Sequence, residues 1–395
     1  MSEFLLNEVC ELIVDCPHTT AKDEGEGFPL VRTPNIGKGR LVYDGMHRVC
    51  EDVYNKRNAR AIPQENDLIF AREATAGNVA LIQKGEKVCL GQRTVLIRPN
   101  QEIVNPAFLT YFLLAPKQQY NLLSTANGAT VAHVNLPSIR NLKIDLPELS
   151  TQHRIATILS RYDSLIENYQ KQIKLLEEAA QRLYKEWFID LHFPGHENTK
   201  IVDGVPEGWE KKKLVDLVDV QYGYAFDGKL FNSNREGMPI LRIRNIPEGL
   251  TSDYTTEEAS NDYIVHNGDI VVGMDGIFHI NSWSGDDAYL VQRACSFRPK
   301  EECMKGFIFQ AIQEPIKFFE KTLVGATVAH LGKKHIDSIE LCVPKNFELY
   351  QPFSKFYNQR QGLLSQIRLL TEARDRLLPK LMSGEIEAKQ QSIRT

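Results

Sequence analysis

The stretch from Ser150 to Phe188 reads STQHRIATILSRYDSLIENYQKQIKLLEEAAQRLYKEWF, and apolar residues recur along it in steps of three and four. That spacing keeps one stripe on a single face of an α-helix. Charged and amide side chains fill most other positions, which excludes a membrane-spanning helix. At 1.5 Å per residue the helix would be roughly 55 Å long. We therefore expect a partner helix, in this chain or another, to cover the stripe. The stripe consists of Ile155, Leu159, Tyr162, Ile166, Tyr169, Ile173, Leu176, Ala180, Leu183 and Trp187.

Composition limits the class of protein. At 395 residues the chain is long enough for two or three domains. A formal net charge of −4 gives no overall attraction to nucleic acid, so DNA binding would need local basic patches. Seven cysteines without a Cys-x-x-Cys pair are typical of reduced thiols and predict neither disulfides nor a metal site. With no signal region and no apolar run of spanning length, we expect a cytoplasmic protein.

An internal repeat of about 200 residues organises the rest of the chain. Gly128–His133, with the sequence GATVAH, recurs letter for letter as Gly325–His330. Further matches follow in the same order, which indicates two copies of one plan. They pair Pro29–Arg32 with Pro239–Arg242, Asn35-Ile36 with Asn245-Ile246, Gln92-Arg93 with Gln292-Arg293, Ile139 with Ile336, and Pro147 with Pro344.

Each copy is predicted to be a mixed α/β domain followed by a long helix. The predicted strands are Asp67–Phe70, Val79–Ile82, Thr94–Ile97 and Lys143–Leu146, then Ile240–Ile243, Asp269–Val272, Ala294–Phe297 and Ile339–Val343. One short helix is predicted in each copy, at Pro106–Ala115 and Met304–Phe319. The second long helix, near Leu349–Leu378, carries Arg360 and Arg374 on its stripe. Pro379 is expected to kink or stop it, with Gly384 as a terminator.

These patterns predict an α+β protein in which two mixed α/β domains are separated by two long helices. If a pseudo-two-fold axis relates the copies, the helices pair as an antiparallel coiled coil. A parallel pairing is less favourable, because the linker would have to run back along the whole rod. The expected boundaries are 1–149 for the first domain, 150–190 for the central helix, 191–205 for a linker, 206–346 for the second domain, 347–384 for the distal helix and 385–395 for a polar tail.

Several stretches resemble the specificity subunit of type I restriction-modification systems, over nearly the full length. Leu12–Thr20 (LIVDCPHTT) followed by Phe28–Ile36 is similar to a start of the family's first target-recognition domain. Val205–Trp209 (VPEGW) looks like the start of the second, and Asp269–Phe278 resembles a widespread recognition-domain type. The two GATVAH elements and the two long helices complete the resemblance. The first half departs from it by lacking a Pro-x-Gly-Trp opening.

The resemblance implies a non-catalytic subunit that binds double-stranded DNA. Each recognition domain would bind one half of a bipartite, interrupted target. The helices would set the half-site spacing and dock two modification subunits, which carry S-adenosylmethionine and methylate adenine. Restriction subunits, where present, would add ATP and Mg. The sequence itself has no phosphate-binding loop, and Asn105–Phe108 (NPAF) lacks the second proline of an adenine-methyltransferase motif. The alternative function is a coiled-coil scaffold or adaptor without DNA recognition; a free-standing nuclease or methyltransferase is remote.

Candidate DNA contacts are polar, basic and aromatic residues of predicted loops. The alternative for each is an ordinary solvated or structural side chain. Arg93, Arg293 and the two GATVAH elements recur in both copies. Because half-sites usually differ, they are expected to hold phosphate or to brace the fold, not to read bases. No catalytic or metal-binding residue is predicted. The candidates are Lys22, Arg32, Lys38, Arg40, Arg72, Thr75, Asn78, Arg93, Thr130, His133, Tyr222, Tyr224, Lys229, Arg242, Arg244, Asn245, Met274, Asp275, His279, Asn281, Trp283, Arg293, Thr327 and His330.

Overall fold

The structure is a computed structural model that describes residues 2–124, 133–323 and 329–388. These residues form two compact units. The first comprises the residues up to Leu165 together with those from Leu370 onward, and the second comprises Ile166–Leu369. Each unit thus holds the start of one long helix and the end of the other. The domain boundaries expected from the sequence stay a prediction, because the units are defined by contacts and divide both long helices.

The first unit contains nine strands and four short helices among its described residues, and the first long helix begins in it. The strands are β1 Ser2–Leu5, β2 Cys10–Asp15, β3 Phe28–Val31, β4 His47–Val49, β5 Leu68–Ala71, β6 Val79–Leu81, β7 Cys89–Leu90, β8 Thr94–Pro99 and β9 Lys143–Leu146. The helices are α1 Glu51–Arg57, α2 Pro106–Leu114, α3 Pro116–Ser124, α4 Leu136–Arg140 and the long α5 Leu149–Tyr184, which a π-helical turn extends over Lys185–Ile189.

The second unit repeats this inventory with additional short strands. Its strands are β10 Ile201–Val202, β11 Val205–Pro206, β12 Trp209–Lys213, β13 Val218–Tyr222, β14 Phe231–Asn232, β15 Met238–Leu241, β16 Tyr254–Thr255, β17 Ile264–Val265, β18 Ile270–Gly273, β19 Ile280–Ser282, β20 Ala288–Leu290, β21 Ala294–Pro299 and β22 Glu340–Pro344. Its helices are α6 Leu214–Leu217, α7 Lys305–Ala311, α8 Gln313–Thr322, α9 Lys333–Ile336 and the long α10 Gln351–Ser383, which ends in the first unit.

The sheets confirm the repeat. The main sheet has the order β2-β8-β5-β6 in the first unit and β13-β21-β18-β19 in the second, and every neighbouring pair is antiparallel. A parallel pair follows the same plan, β3 with β7 and β15 with β20. Strand β1 pairs with β9 as β12 pairs with β22. The residues around Phe4 therefore occupy the place that Trp209–Lys213 holds in the second unit, although they lack its Pro-x-Gly-Trp opening.

The predicted strands are confirmed to within two residues at each end, whereas the helices need corrections. Asn105 caps α2 by accepting a hydrogen bond from the backbone N–H of Phe108, which explains why a helix starts at Pro106. The single helix predicted at Met304–Phe319 is two helices, α7 and α8. Pro379 does not stop α10, because a proline this near the end removes only one hydrogen bond from the last turns. The helix ends at Ser383, before Gly384 in the left-handed conformation (φ 76°).

The long helices pair antiparallel in both units. In the first unit Ile155 and Leu159, near the start of α5, share a hydrophobic core with Leu378 and Leu381, near the end of α10. In the second unit the end of the first helix meets the start of the other. There the ring centroids of Trp187 and Phe353 lie 6.0 Å apart. Every residue of the predicted stripe on α5 is buried or half-buried, so the stripe is confirmed as the packing face.

Candidate nucleic-acid interface

In the first unit a carboxylate that follows β5 joins two of the predicted DNA-contact residues. Glu73 accepts a hydrogen bond from His133 Nδ1 at 2.7 Å and forms an ion pair with Arg93. The other ring nitrogen of His133 accepts from Arg72 Nη2 at 2.9 Å. Arg72 also donates from Nη1 to Asp15 Oδ2 at 2.7 Å. The imidazole is thereby held on both sides, in the tautomer that carries its proton on Nδ1.

The second unit builds the same arrangement from its own residues. Asp275 accepts a hydrogen bond from His330 Nδ1 at 2.5 Å, and Arg293 Nη1 lies 3.1 Å from the second oxygen of this carboxylate. We call the trios Arg93–Glu73–His133 and Arg293–Asp275–His330 the Arg–carboxylate–His clusters. The units differ beside them. Met274 takes the place of Arg72 and packs into the core instead of extending the polar network.

Backbone strain marks the arginine of each cluster. Arg93 (φ 63°) and Arg293 (φ 74°) lie in the left-handed region that favours glycine. Such a conformation costs on the order of 1 kcal/mol for a residue with a side chain. It aims the two carbonyls at the N–H groups of Arg72 and Met274, which donate to them at 2.9 and 2.8 Å. The arginine side chains remain 61% and 58% exposed. The strain thus presents a cation to solvent at the same place in both units.

Other predicted contact residues of the first unit divide into exposed and internally bonded side chains. Lys22 and Lys38 are exposed, and Arg40 is half-buried. Three more make hydrogen bonds inside the unit. Arg32 Nη2 donates to the carbonyl of Gly45 at 2.8 Å, Thr75 Oγ1 to that of Thr33 at 2.7 Å, and Asn78 Nδ2 to that of Ile36 at 2.9 Å. The structure favours a bracing role for this second group. Thr130 and Thr327 lie outside the described residues.

In the second unit the aromatic candidates are largely internal. Trp283 is fully buried and donates from Nε1 to the carbonyl of Asp286 at 2.7 Å, so the structure favours a core role over the predicted DNA contact. Burial, with Cys295 and Asp337 nearby, raises the pKa of Tyr222 to about 12 and keeps its hydroxyl protonated. Tyr224 is half-buried, and its ring packs against that of Tyr263 at a tilt, with the ring centroids 5.1 Å apart.

The polar candidates of the second unit are more accessible. Lys229 and Arg244 are exposed, and Arg244 forms an ion pair with Asp253 at 2.7 Å. The others are half-buried. Arg242 lies over the ring of Phe231, and its backbone N–H donates to Asn245 Oδ1. Asn281 Nδ2 donates to the carbonyls of Ile246 and Pro247. His279 directly precedes β19.

Glu73 and the two lysines at the start of α9 were not predicted from the sequence. Glu73 was not among the candidates, although the repeat places it opposite Asp275, which was; aligning the copies residue by residue would have found it. Lys333 and Lys334 open α9, three residues after His330, and both are exposed. The signal was the Lys-Lys-His run at 333–335, which follows the second GATVAH element after two intervening residues. These lysines add positive charge beside the second cluster.

The two units and their matching clusters define a protein with two domains of one plan, each presenting an exposed arginine at the same place. Residues 1–178 and 206–368 match the family described as the type I restriction modification DNA specificity domain. The chain therefore belongs to this family and is a type I restriction-modification specificity subunit with two target-recognition domains.

Relatives support this assignment along nearly the whole chain. The MjaIX specificity subunit of Methanocaldococcus jannaschii is 25% identical over 408 residues, which cover 95% of this chain and 90% of that protein. The MjaVIII specificity subunit of the same organism is 28% identical over 397 residues, with 94% and 89% covered. The crystal structure of the type I S subunit from M. genitalium superposes with a TM-score of 0.56 at 16% identity, covering 96% of this chain and 95% of that one. This likeness shows the shared fold.

Within residues 2–124, 133–323 and 329–388, no helix is both long and apolar enough to cross a membrane. In the same part of the chain, no group of three or more His, Cys, Asp and Glu side chains is placed to hold a metal ion.

Proposed function

We propose that each recognition domain binds one half of a bipartite, interrupted site on double-stranded DNA. The observation that carries this proposal is the pair of Arg–carboxylate–His clusters, built at the same place in two units of the same plan. In each cluster the carboxylate holds the guanidinium through its Nη1 and leaves more than half of the arginine side chain exposed. An arginine fixed in this way is suited to donate to a phosphate oxygen. The shared clusters would hold the backbone in both half-sites.

Base reading would then fall to residues that differ between the units. Lys38 and Lys229 are exposed and have no counterpart in the other copy's motifs. His279, just before β19, is half-buried and carries a ring that can read a base edge, whereas the matching residue before β6 is Asn78. Because half-sites of an interrupted target are usually unrelated, such differences are what two separate readers require.

We propose further that the long helices set the half-site spacing and dock two adenine-methyltransferase subunits. In the second unit, Leu175 on α5 is 65% exposed and borders a groove with Leu176 and Leu363, rimmed by glutamines. An exposed apolar strip with a polar rim is typical of a protein-binding surface. S-adenosylmethionine would be bound by the methyltransferases, and ATP and Mg by restriction subunits. This chain would add no catalytic group, and the complex would act in the cytoplasm.

The test is adenine methylation across a host genome, measured with the gene intact, deleted and altered. Deletion should abolish methylation at one bipartite motif. Replacing residues 206–346 by the second domain of another specificity subunit should change one half of that motif and leave the other half and the gap unchanged. If deletion leaves the methylome unchanged in a strain whose methyltransferase partner is active, the chain is not the reader and the scaffold alternative is favoured.

The same experiment has a matched control on the helices. Arg182 lies on α5, is 82% exposed and pairs with Glu178 along the helix. The variant Arg182→Ala removes an exposed arginine outside the recognition domains, so methylation should keep its motif and extent. Leu175→Asp, which places a charge in the proposed docking groove, should lower methylation at the whole motif without altering its sequence. A changed motif in Leu175→Asp would contradict the docking role.

A further inference from the structure

Two ion pairs join the long helices, one in each unit. In the first unit Arg374 Nη1 on α10 donates to Asp163 Oδ1 on α5 at 2.6 Å. In the second unit Arg360 Nε on α10 donates to Glu177 Oε1 on α5, also at 2.6 Å. Both arginines lie on the otherwise apolar stripe of α10, where their side chains are only 16% and 10% exposed. The arginine of each pair is thus part of the packing face. Asp163 is buried with its arginine, whereas Glu177 is 43% exposed at the edge of the contact.

The repeat relates these four residues to one another. The offset that takes Ile139 to Ile336 and Pro147 to Pro344 takes Asp163 to Arg360 and Glu177 to Arg374. Equivalent positions of the two helices therefore carry opposite charges. Helix α5 is acidic at both positions, and α10 is basic at both. Each ion pair joins the first position of one helix to the second position of the other, as an antiparallel pairing of equivalent helices requires.

The centre of the apolar stripe is shared by both helices. The same offset matches Leu159 with Phe356, Ile166 with Leu363 and Ile173 with Leu370, while Tyr162 and Tyr169 match Gln359 and Gln366. Hydrophobic contact would therefore permit α5 to pair with α5 of a second chain, and α10 with α10. In the first case Asp163 would face Glu177 at both ends of the contact. In the second case Arg360 would face Arg374 twice. Like charges opposed in a half-buried seam oppose association.

We propose that these two positions select the pairing of the long helices, so that a first-repeat helix accepts a second-repeat helix and rejects its own kind. The apolar stripe supplies attraction to any helix of this type, and the four charges restrict it to the unlike one. The partner that fits α5 is a helix with arginine at both positions, whether from this chain or from another specificity subunit. A buried polar or charged residue that sets helix partners is an established use of such groups.

The proposal is tested with full-length variants that all keep the net charge of the natural chain. Two half-swaps, Asp163→Arg with Arg374→Asp, and Glu177→Arg with Arg360→Glu, each keep opposite charges facing each other at both places within the chain. The second half-swap also removes the hydrogen bonds that Arg360 donates to Asn281 and Ser282. Each half-swap makes α5 and α10 self-complementary, since one position on every helix is then acidic and the other basic. The full swap combines all four substitutions. In the full swap α5 is basic at both positions and α10 is acidic at both, which is the natural arrangement with the signs reversed.

Each chain is unfolded, refolded over a range of concentrations and analysed by size-exclusion chromatography with light scattering. Both half-swaps should dimerise roughly tenfold more strongly than the natural chain, which corresponds to about 1.4 kcal/mol. The full swap should return to the natural level. Two chains could also dimerise by pairing α5 of one chain with α10 of the other. All four proteins keep complementary charges between α5 and α10, so this kind of dimer cannot cause a difference among them.

The reversal separates charge selection from damage to the fold, because the full swap contains every substitution of both half-swaps. If dimerisation is equal in all four proteins, or rises cumulatively to a maximum in the full swap, the proposal is overturned. Far-UV circular dichroism during heating shows which chains fold. Should a half-swap fail to fold, the uncharged variant Asp163→Asn, Glu177→Gln, Arg360→Met, Arg374→Met removes the repulsion between like helices. Its dimerisation should then exceed that of the natural chain, and an unchanged level would again overturn the proposal.

Discussion

Replacing Arg374 by methionine removes the cation that faces Asp163 and keeps most of the side-chain volume. Asp163 is only 6% exposed, so its carboxylate would stay buried without the ion pair that Arg374 forms with it. Breaking a buried pair from one side costs about 3–5 kcal/mol. The hydroxyl of Tyr111 still donates to Asp163, and burial together with that carboxylate raises the pKa of Tyr111, so the donor stays protonated. We therefore expect the lower end, a loss of about 3 kcal/mol in the free energy of unfolding of the first unit.

The assay is urea denaturation at neutral pH, supported by thermal melting, where a loss of this size corresponds to roughly 6–12 °C. The double variant Asp163→Asn with Arg374→Met should recover to within about 1 kcal/mol of the natural chain, because no charge is left buried. An asparagine oxygen at position 163 also keeps an acceptor for Tyr111. The reasoning is refuted if Arg374→Met costs less than about 1 kcal/mol, or if the double variant is no more stable than the single one.

Other variants examine the remaining assignments. Arg93→Gly and Arg293→Gly fit the left-handed backbone, so each should change the free energy of unfolding by less than about 1 kcal/mol. Each should also lower the slope of log affinity against log salt by about one, measured by fluorescence anisotropy with duplex DNA; an unchanged slope would argue against phosphate contact. Trp283→Ala should cost about 3–5 kcal/mol in urea denaturation, and a cost near zero would contradict its place in the core. Glu177→Gln should cost less than about 1 kcal/mol in the same assay, because this carboxylate is 43% exposed. Asn105→Ala should cost about 1 kcal/mol through the lost helix cap while the assembled complex still methylates DNA; lost methylation with an intact fold would instead indicate a catalytic asparagine.

The fold was predictable from the sequence because two signals agreed. The three-four spacing from Ile155 to Trp187 predicted a long helix, and the repeated GATVAH element predicted that the chain held its partner. Strand positions followed from β-branched runs between turn residues. The small parallel pairs, β3 with β7 and β15 with β20, are too short to show a pattern of their own. The break between α7 and α8, by contrast, is marked in the sequence by Pro315, which has no N–H to donate to the carbonyl of Ala311, the last residue of α7.

The candidate site was less predictable, because a sequence shows residue types and not exposure. Trp283 has the chemistry of a DNA contact and lies in the core, whereas Glu73 has the wrong charge for DNA and organises the first cluster. The role of Arg360 and Arg374 on the apolar stripe of α10 could not be inferred from the sequence, because their partners, Glu177 and Asp163, lie on the other long helix. Those partners depend on how the two helices are aligned, and that alignment follows from the structure of each unit.

Each recognition domain begins and ends on neighbouring strands. Strand β12 opens the second domain and lies antiparallel to β22, which closes it, with Trp209 opposite Pro344; β1 and β9 do the same in the first domain. The chain thus enters and leaves each domain at neighbouring positions. The residues between the two strands form one folded segment whose ends are joined by the backbone hydrogen bonds of the strand pair. Under the proposed function, a gene that exchanges the segment between these strands would change the half-site that one domain recognises and leave the distance between the ends of the inserted segment unchanged. The antiparallel strand pair is therefore a suitable boundary for exchanging the domain, because an incoming segment has to fit the rest of the chain only at its two neighbouring ends.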